Sequence, residues 1–168
     1  MTDRALSAQE VEQIAGCSVK VIKYQDLDEY DSIEDIFSPD GCALLLYETM
    51  INSGHWVCLI NSYNTIYFFD SYGLIPDNQL TFTNIRFREE NDMMIPHLTL
   101  LFSKTDKAVD YNDKRLQVMR EDIQTCGYWC GYRMRNREIS NDSFNILFKG
   151  IPRQEKDIVI VDIGNKYL

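Results

Sequence analysis

Within eight residues, Gln124 to Gly131, the chain carries a side-chain amide, two thiols (Cys126 and Cys130) and two glycines (Gly127 and Gly131). These are groups an acyl-transfer site needs. A thiol attacks a carbonyl as its thiolate, and a helix N-terminus favours that charge through its unpaired N–H groups and its dipole. The glycines suit a turn that lets backbone pass close to a substrate. This spacing predicts a helix beginning at Cys130 and running to about residue 140, with Cys130 as the nucleophile. Gln124, six residues upstream, would fold back over the thiol and join the Cys130 backbone N–H in holding an oxyanion. Cys126 is the alternative thiol, since a glycine follows it too, but it has no glutamine six residues before it. Taken alone, two cysteines beside aromatic residues are more often core thiols than nucleophiles.

A thiol nucleophile needs a base, and the segment 54–70 offers one. Residues 54–60 and 65–70 are two apolar runs separated by Asn61, Ser62, Tyr63 and Asn64, the pattern of a β-hairpin. With the turn centred between Ser62 and Tyr63, His55 stands opposite Asp70, Val57 opposite Phe68 and Leu59 opposite Ile66. Directly opposed residues have Cβ atoms about 4.5–5.5 Å apart, close enough for Asp70 to fix the imidazole. A slip of one residue would place the two on opposite faces. The alternative is a rim histidine, with Asp70 capping the turn through Ser71 and Gly73.

The elements that must position these groups follow in order. Ser7 and Glu10 have capping-box spacing and predict a short helix ending at Gly16. Residues 19–24 alternate as a strand, residues 31–37 suggest a short helix before Pro39, and residues 42–47 form an apolar run expected of a doubly buried strand. Residues 74–91 are expected to be loop with an edge strand near 81–87, and residues 97–102 a strand with His97 structural. Residues 110–121 are expected to be a surface helix or connector. Asn141 and Ser143 can cap a helix reaching Lys149, and residues 157–163, rich in Val and Ile, are expected to be an edge strand or packed tail. No repeat or linker interrupts the chain, which is expected to be one domain over residues 1–168.

The chain has 168 residues, 45% of them hydrophobic, enough for a substantial core. Five cysteines leave at least one unpaired, which fits a reducing compartment. Cys126 and Cys130 lack a second pair at zinc-ligand spacing, and His55 and His97 are isolated from each other, so no metal site or cofactor is expected. The net charge of −9 argues against sequence-independent nucleic-acid binding. Arg133, Arg135 and Arg137 read as a solvated helix face rather than a phosphate-binding patch. Residues 1–5 carry no apolar signal core, and no stretch reaches the roughly 18 apolar residues needed to span a membrane. The expectation is a soluble, intracellular monomer.

Taken together, Gly54, His55 and Trp56, then Phe69, Asp70, Ser71 and Gly73, then Gln124, Gly127, Cys130 and Gly131, form an ordered set. The set resembles the ubiquitin-like-protein proteases and the adenovirus-type maturation proteases over residues 42–140. The resemblance implies a papain-like α+β fold, with the nucleophile at the start of a helix packed on a mixed sheet that supplies His and Asp. It implies Cys130 as nucleophile, His55 as base and acid, Asp70 as orienter and Gln124 as oxyanion donor. It also implies that Trp56 lines a narrow channel admitting glycine, with Gly127 and Trp129 beside the substrate. Deconjugating enzymes usually carry Asp where Trp129 stands, and the long N-terminal elements with which they grip a partner are not seen here. Both departures favour a compact enzyme that trims capsid precursors in a virion or viral factory. The Asp70-Ser71-x-Gly73 turn is closer to the deconjugating branch, which stays the alternative, together with an inactive protease-like binding module. The expected partner is a protein substrate.

Overall fold

The computed structural model describes residues 4–168; residues 1–3, part of the segment examined for a signal core, lie outside it. The N-terminal helix α1 (Ala8–Ala15) has the expected capping box. Ser7 Oγ accepts from the Glu10 N–H, Glu10 reaches back to the Ser7 N–H, and Gly16 closes the helix at φ 67°. A five-stranded mixed sheet follows, in the order β1 (Lys20–Lys23), β2 (Cys42–Met50), β3 (Ser53–Asn61), β4 (Thr65–Phe69) and β5 (Ala108–Tyr111). The outer pairs are parallel and the two inner pairs antiparallel.

Alternation along the central strands divides the core. Cys42, Leu44, Cys58 and Ile60 pack with α1 and with the helices α4 (Cys126–Arg135) and α6 (Arg153–Asn165). Ala43, Leu45, Val57 and Leu59 pack on the opposite face with Leu98 and Leu101 of α3 (His97–Phe102). The fold class is therefore the α+β arrangement expected, a mixed sheet with helices on both faces.

The hairpin forms, but its register is not the one expected. Asn61 pairs with Ile66, Leu59 with Phe68 and Cys58 with Phe69, because Ser62 N–H bonds to Thr65 C=O and the turn centres one residue later. Moving the centre by one residue moves each partner by two. Side-chain parity is kept, and His55 remains on the same face as Asp70 as a diagonal neighbour rather than an opposed one.

Other elements depart from expectation for identifiable reasons. Residues 97–102 form a helix, with Leu98 and Leu101 buried at helical spacing, and residues 85–90 form the short helix α2 (Ile85–Glu90) instead of an edge strand. Residues 157–163 lie within α6, where Asp157, Ile160, Val161 and Gly164 make one buried stripe; packing overrides the strand preference of Val and Ile. The strand β5 was hidden by its length of four residues. Arg133, expected on a solvated face, is fully buried and donates to Asn141 Oδ1 and to the carbonyls of Asn136 and Ile139. Among the described residues no helix is long and apolar enough to cross a membrane.

Candidate active site

The helix α4 starts at Cys126, four residues earlier than the sequence suggested. Glycine inside a helix costs roughly 0.5–1 kcal/mol, which made Gly127 and Gly131 look like turn residues. Here contact with the N-terminal segment offsets that cost. A Cβ on Gly127 would lie 3.1 Å from both Leu6 Cβ and Val11 Cγ2, and one on Gly131 would lie 2.7 Å from Ile14 Cβ. Both glycines let this segment lie against α4. Gly127 is thus a packing residue and is not beside a substrate path.

Helix position distinguishes the two thiols. Trp129 N–H bonds to Thr125 C=O, and Thr125 is the N-cap, so Cys126 is the first residue of the helix and its N–H lies at the helix N-terminus. Cys126 therefore occupies the charged end of the helix, whereas Cys130 lies one turn, about 6 Å, further in. Because they are four residues apart, both thiols face β3. Trp56 reads them differently with one peptide: its N–H donates to Cys126 Sγ at 3.5 Å, and its C=O accepts from Cys130 Sγ at 3.4 Å. Cys126 sulfur thus accepts a hydrogen bond, whereas Cys130 sulfur donates one. Cys130 is fully buried in the core, and burial first, then Cys58, pushes its thiol well above the ordinary range. The expectation that Cys130 meets the base is overturned, because the structure brings Cys126 to it.

That base is His55, near the start of β3 and nearly buried. Its Nε2 is 2.8 Å from Asp70 Oδ1, and the Cys126 thiol is its other electrostatic neighbour. Burial works against the imidazolium, but the charge and hydrogen bond of Asp70, followed by Cys126, outweigh it and raise His55 to about 10. His55 therefore holds a proton at neutral pH. Asp70 lies just past the end of β4 and also accepts the Tyr72 N–H at 2.9 Å. It caps the turn and orients the imidazole at once, so the two roles weighed from sequence coexist. Tyr72 stacks on the imidazole with ring centroids 4.3 Å apart and planes 7° apart.

His55 and Cys126 open on a cavity of about 430 Å³. One wall is the tip of the β2–β3 hairpin with Ser53 and Gly54; the other is the segment 117–124, including Gln117 and Gln124. Gly54 is fixed by the hairpin itself, since a Cβ there would sit 2.0 Å from the Tyr47 carbonyl oxygen. Trp56 borders the cavity, with its indole N–H held by the Leu6 carbonyl at 3.2 Å. Exposed Gln124 is two residues before Cys126, within reach of the same space. Trp129, expected beside the substrate, is fully buried; its indole N–H bonds to Asp157 Oδ1 at 3.0 Å and its ring meets Phe148 edge-on.

Three residues of the site went unseen in the sequence. Gln117 accepts from Ser71 Oγ at 2.6 Å and donates to the Ile123 carbonyl, tying the segment before Cys126 to the turn after Asp70. Asp157 of α6 is buried and accepts from Thr125 Oγ1, Trp129 Nε1 and Val118 N–H, fixing the start of α4. Tyr72 is the third. No local motif gives them a role, because each acts through a contact distant in sequence. His97 stays apart from the site; its Nε2 lies 3.0 Å from the Asp92 carbonyl. Among the described residues no cluster of His, Cys, Asp or Glu could hold a metal ion.

A pH dependence follows from His55. A histidine raised from about 6.5 to about 10 binds its proton more tightly in the folded chain, so its contribution is complete below pH 6.5 and is lost as pH rises through 10. Urea midpoints of the wild type should fall between pH 6.5 and 10 more steeply than those of His55→Gln, which cannot titrate. Equal slopes would mean that His55 is not raised.

No protein-family model matches the chain. The uncharacterized protein V9 of Sputnik virophage is 37% identical over 131 residues, covering 77% of this chain and 75% of that protein. Among solved structures, the selenomethionine and native crystal structures of the ASFV pS273R protease cover 91% of this chain at 14% identity and a TM-score of 0.46. The chain spans 65% and 64% of the length of those two chains. At that identity and score the likeness assigns no residue a role.

Proposed function

We propose that this chain, which belongs to the same family as protein V9 of Sputnik virophage, is a cysteine endopeptidase with Cys126 as its nucleophile. The observation that carries the proposal is the continuous contact from Cys126 through His55 to Asp70, at a helix N-terminus and open to a cavity. With the shared proton already on His55, Cys126 Sγ attacks the substrate carbonyl carbon. The Cys126 N–H and the Gln124 amide hold the resulting oxyanion. The tetrahedral species collapses to a thioester as the C–N bond breaks, and His55 gives its proton to the leaving amine. Water, deprotonated by His55, then cleaves the thioester and restores the sulfur anion beside the imidazolium. Asp70 orients and stabilises the imidazolium throughout. No cofactor takes part.

Losing one oxyanion donor costs on the order of 10²–10³ in turnover, in the chemical step. Gln124→Ala should therefore lower kcat with KM nearly unchanged. A pure KM effect would move Gln124 to substrate binding.

Trp56, across the cavity from the 117–124 segment, supports cleavage beside glycine or another small residue. Kinship with a virophage protein supports a viral substrate, and we assign the enzyme to capsid-precursor processing in the virion and the viral factory, acting as a monomer. The test is to incubate the chain with structural precursors encoded beside its own gene and, separately, with ubiquitin-like proteins ending in Gly-Gly. Precursor cleavage that Cys126→Ala abolishes is the expected result. Release of the ubiquitin-like protein with the precursor untouched would make the enzyme a deconjugase, and no cleavage of either would favour an inactive binding module.

A further inference from the structure

A second cavity, of about 470 Å³, lies between the segment 114–116, α5 (Asn141–Ile146) and the start of α6. Its charge is opposite to that of the molecule. Five of the chain's 17 Lys and Arg residues line it, namely Lys114, Arg115, Lys149, Arg153 and Lys156, against one of its 26 Asp and Glu residues, Asp142. Among the described residues, none of these five side chains is in an ion pair. Arg153 and Lys156 also stand in the first turns of α6, the helix end where positive charge is disfavoured. Five unneutralised cations around one concavity, two of them against a helix dipole, make a site whose electrostatics improve when an anion enters.

The cavity also has apolar walls. Leu116 is buried beneath it, while Ile146 is 65% exposed at its edge. A lone phosphate would neutralise charge and leave Ile146 in water. Duplex nucleic acid needs an extended basic face, which a net charge of −9 opposes beyond this concavity. Alternating carboxylates and an apolar side chain satisfy both features, and the volume suits a few peptide side chains.

We propose that this groove docks an acidic segment of a partner protein, with one apolar side chain of that segment resting on Ile146. The inference concerns binding alone and stands apart from the catalytic proposal. The probe is a fluorescein-labelled peptide of Asp and Glu flanking one central Leu, titrated with the full chain and followed by anisotropy. Binding should weaken with salt and fall at least about tenfold in the double variant Lys149→Glu/Arg153→Glu. Placing Glu at position 153 suits the helix end, so the fold should persist, and an unchanged melting temperature verifies it. A peptide with Gly in place of Leu should bind several-fold more weakly, as should the original peptide to Ile146→Ser.

The proposal fails if the peptide does not bind or if the charge reversals leave its affinity unchanged. Equal binding of the Leu-free peptide or of inorganic phosphate would reduce the site to an anion patch. Tighter binding of a single-stranded oligonucleotide would make it a nucleic-acid surface. Self-association of the wild type, lost in the double variant, would make the occupant a second copy of this chain. Each of these results overturns the acidic-segment assignment.

Discussion

Cys126→Ala should abolish peptide cleavage and leave the fold intact, while Cys130→Ala should keep most of the activity and lose stability. The contrast follows from where each sulfur sits. Cys126 is 9% exposed on the cavity wall and touches the imidazole, so removing its sulfur removes the nucleophile but little packing. Cys130 is 0% exposed among Cys58, Trp129 and their neighbours, and its thiol donates to a backbone carbonyl. Truncating it leaves a small void and an unmet acceptor, a loss of about 1–2 kcal/mol. Turnover on a Gly-containing peptide together with thermal melts separates the two effects. An active Cys126→Ala beside a folded but dead Cys130→Ala would reverse the assignment.

His55→Ala should lower turnover nearly as far as Cys126→Ala. Residues that act as one unit lose function non-additively, so the double variant should be no worse than either single one. The same change strands the Asp70 carboxylate, which is 1% exposed and keeps the Tyr72 N–H as a remaining partner. Breaking a buried pair by removing one member costs about 3–5 kcal/mol, so His55→Ala should also melt early. Turnover must therefore be measured well below the melting temperature. Asp70→Asn keeps a polar group in place and should cost less activity, because the imidazole still meets the thiol. A folded His55→Ala with normal turnover would remove the histidine from the mechanism.

Most of the fold was legible where a local rule and the packing agree. Ser7 and Glu10 wrote the first helix, the run 42–47 wrote β2, and the alternation of 54–60 and 65–69 wrote the hairpin. The pairing of His55 with Asp70 survived a wrong turn centre because the error preserved parity. Misreadings arose where packing overrides local preference. Val159, Ile160 and Val161 favour a strand, yet α6 takes them because one helical stripe fills the core. The helix start was misplaced for the same reason: Gly127 and Gly131 suggested a turn, and contact with Leu6, Val11 and Ile14 makes them helical. With the helix beginning at Cys126, the proposed nucleophile moves there too. Gln117 and Asp157 were invisible because their partners lie 46 and 32 residues away in sequence.

The most direct test of the central claim is alkylation of the native chain by iodoacetamide at pH 6, with the labelled residue identified by peptide mass spectrometry. Cys17 is an internal reference, a partly buried thiol that burial pushes above its ordinary range. Cys126 should label first and fast, with Cys17 slow and Cys130 untouched, and His55→Ala should bring Cys126 down to the slow rate. Rapid labelling of Cys130, or a Cys126 rate indifferent to His55, would contradict the account.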